Sequence, residues 1–156
     1  MPVLNAPRLP CDLYFPEPVT ATAEFCRWLA PIRQPLTEGE VLHGFAGFNL
    51  TRLMGVVTVV VLRQKRIFAF NIPVIYRDQV LLDLPQAIEL LRERHGIAAT
   101  EGRPGSNPMF FTLSRTDLEG VELHEGGGKV TVDRLDGHVW DGEEHAEYAY
   151  DYNNQI

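Results

Sequence analysis

From Met54 to Leu62 the chain reads MGVVTVVVL, nine residues without a charge, closed by Arg63. Six of the nine are β-branched, which favours a strand over a helix. A bilayer-spanning helix needs about 20 apolar residues, so this run is too short to be one. The polar RQKR (63–66) separates it from a second apolar run, IFAFNIPVI (67–75). Together the two predict a β-hairpin with both faces covered, helices lying on one side. Pro73 weakens the second strand near its end and marks a bulge or an edge. The basic turn Arg63-Gln64-Lys65-Arg66 reads as a solvated hairpin tip, or as a dock for the acidic C-terminal tail, within the chain or in a neighbouring copy.

The rest of the chain is organised around that hairpin. Residues 1–19 hold five prolines and read as an extended arm lying on the domain. A helix is expected from Ala21 to Ala30, with Thr20 as N-cap, an apolar stripe of Phe25, Trp28, Leu29 and Ile32, and Pro31 and Pro35 as stops. In residues 39–53, Val41, Leu42, Phe45 and Phe48 fit a helix, but Gly39, Gly44 and Gly47 favour an irregular strand. Asp83 and Gln86 have capping-box spacing ahead of a helix lined by Leu84, Ala87, Ile88 and Leu91 and stopped by Gly96. Strands follow at 108–115, 121–124 and 129–135, the last two flanking the turn EGGG as a second hairpin. The expected fold is one α+β domain over residues 1–156, a mainly antiparallel sheet of two hairpins with two helices packed on it. At 156 residues such a chain buries about 70% of its unfolded surface, enough for a core without staples.

Charge is distributed unevenly. Residues 1–115 carry 12 basic and 10 acidic side chains, whereas 116–156 carry 11 acidic and only two basic, Lys129 and Arg134. The whole surplus of the net −7 thus falls in the last quarter. A general affinity for nucleic acid is excluded by that balance, since phosphate binding needs a concentrated positive face. The opening residues lack the pattern of a secretory signal. Two cysteines, Cys11 and Cys26, are too few for a disulfide framework, and Cys26 sits in a helical apolar pattern as a buried thiol. A reducing, cytoplasmic setting is the expectation.

Familiar catalytic patterns are missing. GGGK (126–129) lacks the Ser or Thr and the upstream glycine of a phosphate-binding loop. There is no G-x-G-x-x-G, C-x-x-C or H-E-x-x-H, and neither Ser106 nor Ser114 sits in a nucleophile elbow. Chemistry, if any, concentrates in DGHVWDGEEHAEYAYDY (136–152). His138, Asp141 and His145 could ligate a divalent metal, with Glu143 or Glu144 nearby and His124 on the neighbouring hairpin. Their spacing would give one ligating face only on a helix, which Gly137 and Gly142 oppose. No cofactor is expected.

The same segment alternates. Tyr148, Tyr150 and Tyr152 would share one face of a strand and Glu147, Ala149 and Asp151 the other. The tyrosines then either cover the core at a sheet edge or form a recognition strip, with Trp140 as anchor and Asp141, Glu143, Glu144 and Glu147 at the margins. A tyrosine edge strand could also pair with a second copy.

These features give an expectation about function: a small acidic protein-binding module acting through Trp140, Asp141, Glu143, Glu144, Glu147, Tyr148, Tyr150 and Tyr152. Its partner would be basic, such as a nuclease or a nucleic-acid-handling complex, and neither a membrane nor nucleic acid itself. In general character, though in no motif, this resembles bacterial immunity proteins and phage anti-defence proteins. The competing readings are a metal-dependent hydrolase using His124, His138 and His145, and a small-ligand carrier whose cavity is lined by Phe68, Phe70, Phe110 and Phe111.

Overall fold

A computed structural model describes residues 10–30, 36–101, 107–117 and 128–153. The chain divides into two units, residues 1–77 with 144–156, and residues 78–143.

In the first unit, β1 (Cys11–Thr20) is the central strand of an antiparallel sheet, between β2 (Val41–Phe45) and the edge strand β3 (Phe70–Pro73). Residues 11–19 are therefore sheet rather than the expected arm, and 1–9 lie outside the described residues. Pro16 and Pro18 are tolerated because pairing with β3 covers only Cys11 to Tyr14, while the register with β2 shifts between Phe15 and Val19. Pro73 ends β3 opposite Cys11, at an edge as its ring demands. Helix α1 (Ala23–Leu29) starts later than expected because Thr20 belongs to β1. Thr22 caps it instead, its hydroxyl oxygen accepting the Phe25 N–H at 3.1 Å.

The first hairpin does not exist. Arg52–Gln64 form a helix, α2, that leads into β3. Thr51 caps it through the Met54 N–H at 3.1 Å, and the Thr58 hydroxyl donates to the Met54 carbonyl at 2.7 Å, so the one polar side chain inside the run is satisfied within the helix. Gly55, Thr58, Val59 and Leu62 are buried at helical spacing. Valine costs a helix at most about 0.7 kcal/mol per residue. Burying a Val or Leu side chain returns about 1.5–3 kcal/mol, so packing decides against local propensity. The helical period was invisible in sequence because the outer face is apolar too: Leu53, Met54 and Val57 are 71, 43 and 49% exposed. Leu13, Phe15, Leu29, Phe48 and Leu62 belong to the core of this unit.

β1 also carries Asp12, fully buried. Its carboxylate accepts the N–H groups of Leu13 (2.7 Å), Phe48 (2.8 Å) and Gly47 (3.0 Å) and pairs with the Arg77 guanidinium at 3.1 Å. Arg77 in turn donates to the Phe48 carbonyl and the Asn49 side chain. One carboxylate thus fixes the connection between β2 and α2.

The second unit is an antiparallel sheet of order β4-β5-β6 (Ala99–Glu101, Phe110–Arg115, Lys129–Asp133). A short helix, α3 (Ile75–Asp78), precedes α4 (Leu84–His95). Helix α4 has the expected capping box: the Gln86 N–H donates to Asp83 and the Asp83 N–H to the Gln86 side chain, both at 2.9 Å. Gly96 ends it at φ 64°, a left-handed conformation that suits glycine. Ala87 and Leu91 pack with Leu113 and Val132 of the sheet. β6 pairs with β5, while 121–124 and the first three residues of EGGG (125–127) lie outside the described residues.

The C-terminal alternation is also helical, not extended: α5 (Gly142–Ala146) runs into a π-helix, Glu147–Tyr152. The chain is α+β, with two three-stranded antiparallel sheets and five α-helices among the described residues. No described helix is long and apolar enough to cross a membrane. Cys11 and Cys26 form no disulfide, Cys11 being buried and Cys26 half-buried.

Candidate functional site

The segment expected to carry function is divided between the two units. In the second, the chain after β6 turns back along it: the Asp133 N–H donates to the His138 carbonyl, the Gly137 N–H to the Asp133 carbonyl, and the Trp140 N–H to the Thr131 carbonyl. Gly137 permits the turn at φ 79°, and a Cβ there would lie 2.8 Å from Leu90 Cδ1. The turn gathers three titratable side chains. Asp133, 1% exposed, accepts the Trp140 indole N–H at 2.8 Å and the Leu135 N–H at 2.9 Å. His138 Nδ1 lies 2.5 Å from Asp136 Oδ1, and its Nε2 lies 3.9 Å from Asp133 Oδ2. Burial acts to raise the Asp136 carboxyl, but the His138 backbone N–H and ring outweigh it and hold the group below its usual value. An ionised Asp136 makes His138 Nδ1 the donor, which fixes the ring orientation.

Trp140 is therefore no surface anchor. It is 4% exposed, tilted against Phe110 at 4.9 Å, with its polar edge used up on Asp133. Asp141 and Glu143 are exposed. Of the weak metal candidates, His138 and Asp141 precede α5, so H-x-x-D does not share a helical face; His145 is exposed within α5. His124 lies outside the described residues.

In the first unit the C-terminal helices work as a clasp. Tyr148 and Tyr152, four apart, are buried at 8 and 1% exposure, whereas Tyr150 is 58% exposed. Helical spacing puts Tyr150 opposite the other two; the expected three-tyrosine face and its pairing with a second copy as an edge strand both disappear. Glu144 is 2% exposed, and the Glu147 carboxylate sits 3.7 Å from the Arg52 guanidinium. Asn153 ends the clasp. Its side chain accepts the Asn71 N–H at 2.9 Å and donates to the Tyr148 carbonyl at 3.1 Å, and its carbonyl accepts from Arg63 at 2.7 Å. Of the basic residues 63–66, Arg63 thus reaches the C-terminal backbone, while Lys65 pairs with Glu24 of α1 at 3.1 Å.

Asn71 returns the contact. Its amide donates to the Tyr152 carbonyl at 3.0 Å and the Arg52 carbonyl at 3.2 Å. Its Oδ1 has no hydrogen-bond donor and rests on Gly55, where a Cβ would sit 2.0 Å away. Sequence reasoning missed Asn71, Asn153, Arg52 and Gly55. The available signal was a lone asparagine inside FAFNIPVI, since a polar group in a buried strand must find partners.

Two buried acids, Cys11 of β1 and Tyr152 of the clasp, respond to pH. Burial pushes the Cys11 thiol from 9.0 up to about 12, against the pull of the Arg52 cation. Burial likewise raises the Tyr152 phenol from 10.0 to about 12. Both groups stay neutral in the folded state while the unfolded chain ionises first. Stability is whole below pH 9 and falls between pH 9 and 12, by at most about 1.4 kcal/mol per pH unit for each group. Urea midpoints at pH 8 and 10.5 check this: the midpoint should drop, and drop less in Cys11→Ala. A flat midpoint would contradict the burial of both groups.

The division into units changes the charge distribution as well. Residues 78–143 hold 13 acidic and six basic side chains, whereas 1–77 with 144–156 hold eight of each. The surplus read as a property of the last quarter belongs to one folded unit. No family model, no curated protein and no solved structure matches the chain.

Proposed function

We propose that the chain is a protein-binding module of inhibitor type, comparable in role to an immunity or anti-defence protein, and that it covers a basic target in the cytoplasm. The observation that supports this reading is the confinement of the net −7 to residues 78–143, the other unit being neutral. A concentrated negative field accelerates encounter with a positive surface and lets carboxylates occupy the places that phosphates would take on a nucleic-acid-handling protein. Buried Trp140, Tyr148 and Tyr152 leave this recognition to the exposed carboxylates Glu93, Glu101, Asp141 and Glu143. The buried aromatic residues keep the fold, and the exposed acidic ones meet the partner.

The experiment compares two forms of the protein as bait in an extract of the cells that produce it. One is the unaltered chain; the other carries Glu93→Gln, Glu101→Gln, Asp141→Asn and Glu143→Gln. All four residues are exposed, and circular dichroism checks that the variant is folded. A basic protein retained by the first and lost from the second is the expected result. Equal retention by both, or a captured partner that is itself acidic, sinks the reading.

A further inference from the structure

The neutral unit has a cleft of about 460 Å³ lined by Thr22, Glu24, Phe25, Trp28, Lys65 and Ile67. That volume lies within the roughly 300–1,000 Å³ of small-molecule sites. None of the four phenylalanines expected to enclose a cavity lines it. Phe25, Trp28 and Ile67 supply its apolar surface, with Phe25 buried and Trp28 half-exposed. The polar groups are few and of both signs. Lys65 Nζ lies 3.1 Å from Glu24 Oε1, with the side chains 44 and 73% exposed.

An ion pair this open holds its members weakly, so a ligand can take either partner at little cost. An anion alone satisfies Lys65 but then faces the Glu24 carboxylate. A cation alone meets the reverse conflict. A ligand with both charges close together replaces the pair completely, its carboxylate on Lys65 and its ammonium on Glu24. Thr22 adds a donor: its oxygen already accepts the Phe25 N–H, which leaves its own hydrogen to give to a ligand oxygen. The Trp28 indole offers an ammonium its ring face and an apolar group its area.

We propose that this cleft binds a small zwitterion bearing an apolar side group, in the chemical class of the free aromatic and branched-chain α-amino acids. The site belongs to the neutral unit and does not depend on the acidic one.

The test is calorimetric titration at low salt with three probes: phenylalanine, 3-phenylpropionate, which lacks the ammonium, and phenethylamine, which lacks the carboxylate. Phenylalanine should bind at least about tenfold more tightly than either single-charge probe, as expected when a charged contact is lost or opposed. Glu24→Gln and Lys65→Gln should each weaken phenylalanine about tenfold, and circular dichroism checks that both variants are folded. Glu24→Gln should spare 3-phenylpropionate and Lys65→Gln should spare phenethylamine. Equal affinity for all three probes would reduce the cleft to an unselective apolar surface and overturn the proposal. So would no heat from phenylalanine at millimolar concentration, or variants that leave its affinity unchanged.

Discussion

Gly55→Ala is expected to cost about 2–4 kcal/mol of stability, although alanine is the better helix former by up to about 1 kcal/mol. The reason is steric. An added Cβ would lie 2.0 Å from Asn71 Oδ1 and 2.4 Å from its Cγ. Asn71 is fully buried and held by two donated hydrogen bonds, so its short side chain cannot swing aside without losing both. Displacing it costs the two hydrogen bonds that its amide donates to the Tyr152 and Arg52 carbonyls, each worth about 0.5–1.5 kcal/mol. Urea unfolding of Gly55→Ala, Asn71→Ala and the double variant checks the contact. The double variant should lose well under the sum of the singles, because Asn71→Ala already removes what the new methyl strikes. A neutral or stabilised Gly55→Ala would show that α2 and β3 do not approach in this way.

Asp12→Ala should be comparably damaging, at about 3–5 kcal/mol, since it leaves the Arg77 cation without its buried counter-ion. It also orphans the N–H groups of Leu13, Gly47 and Phe48. Asp12→Asn keeps the shape and one accepting oxygen, so a loss of roughly half that size is expected. Thermal or urea unfolding reads both, and amide hydrogen exchange at Gly47 and Phe48 reports where the loss occurs. Asp12→Ala within about 0.5 kcal/mol of the parent, the range of ordinary surface changes, would contradict a structural role for this carboxylate.

Both residues show what the sequence could and could not disclose. The helix at Leu84–His95 was legible because every signal for it is local: Asp83, Gln86, Pro85 and Gly96 mark its ends whatever surrounds it. The α+β class was legible from apolar runs and glycine positions. The helix at Arg52–Gln64 was not, because local propensity favours a strand and the deciding contacts, with Asn71 and the C-terminal clasp, come from residues 19 and more positions away. The tyrosine segment failed for a related reason. A period of two in YAYDY is equally a period of four in Tyr148 and Tyr152, and only Asn153 meeting Asn71 decides between them. Trp140, Tyr148 and Tyr152 thus became structural residues, whereas Asp141, Glu143 and Tyr150 stay exposed. Charge needs no secondary structure to be counted, but the unit boundaries move Glu144, Glu147 and Asp151 out of the acidic part and into the neutral one.

Central to the functional reading is that the negative field of residues 78–143 drives recognition. The most direct measurement is the association rate with the captured partner across ionic strength, from about 20 mM to about 500 mM salt, where screening shortens from beyond 20 Å to under 5 Å. The rate should fall at least about tenfold over that range, with little change in dissociation, and the four-fold neutralised variant should start near the high-salt value. A rate that stays flat with salt and is the same for both proteins would contradict the account.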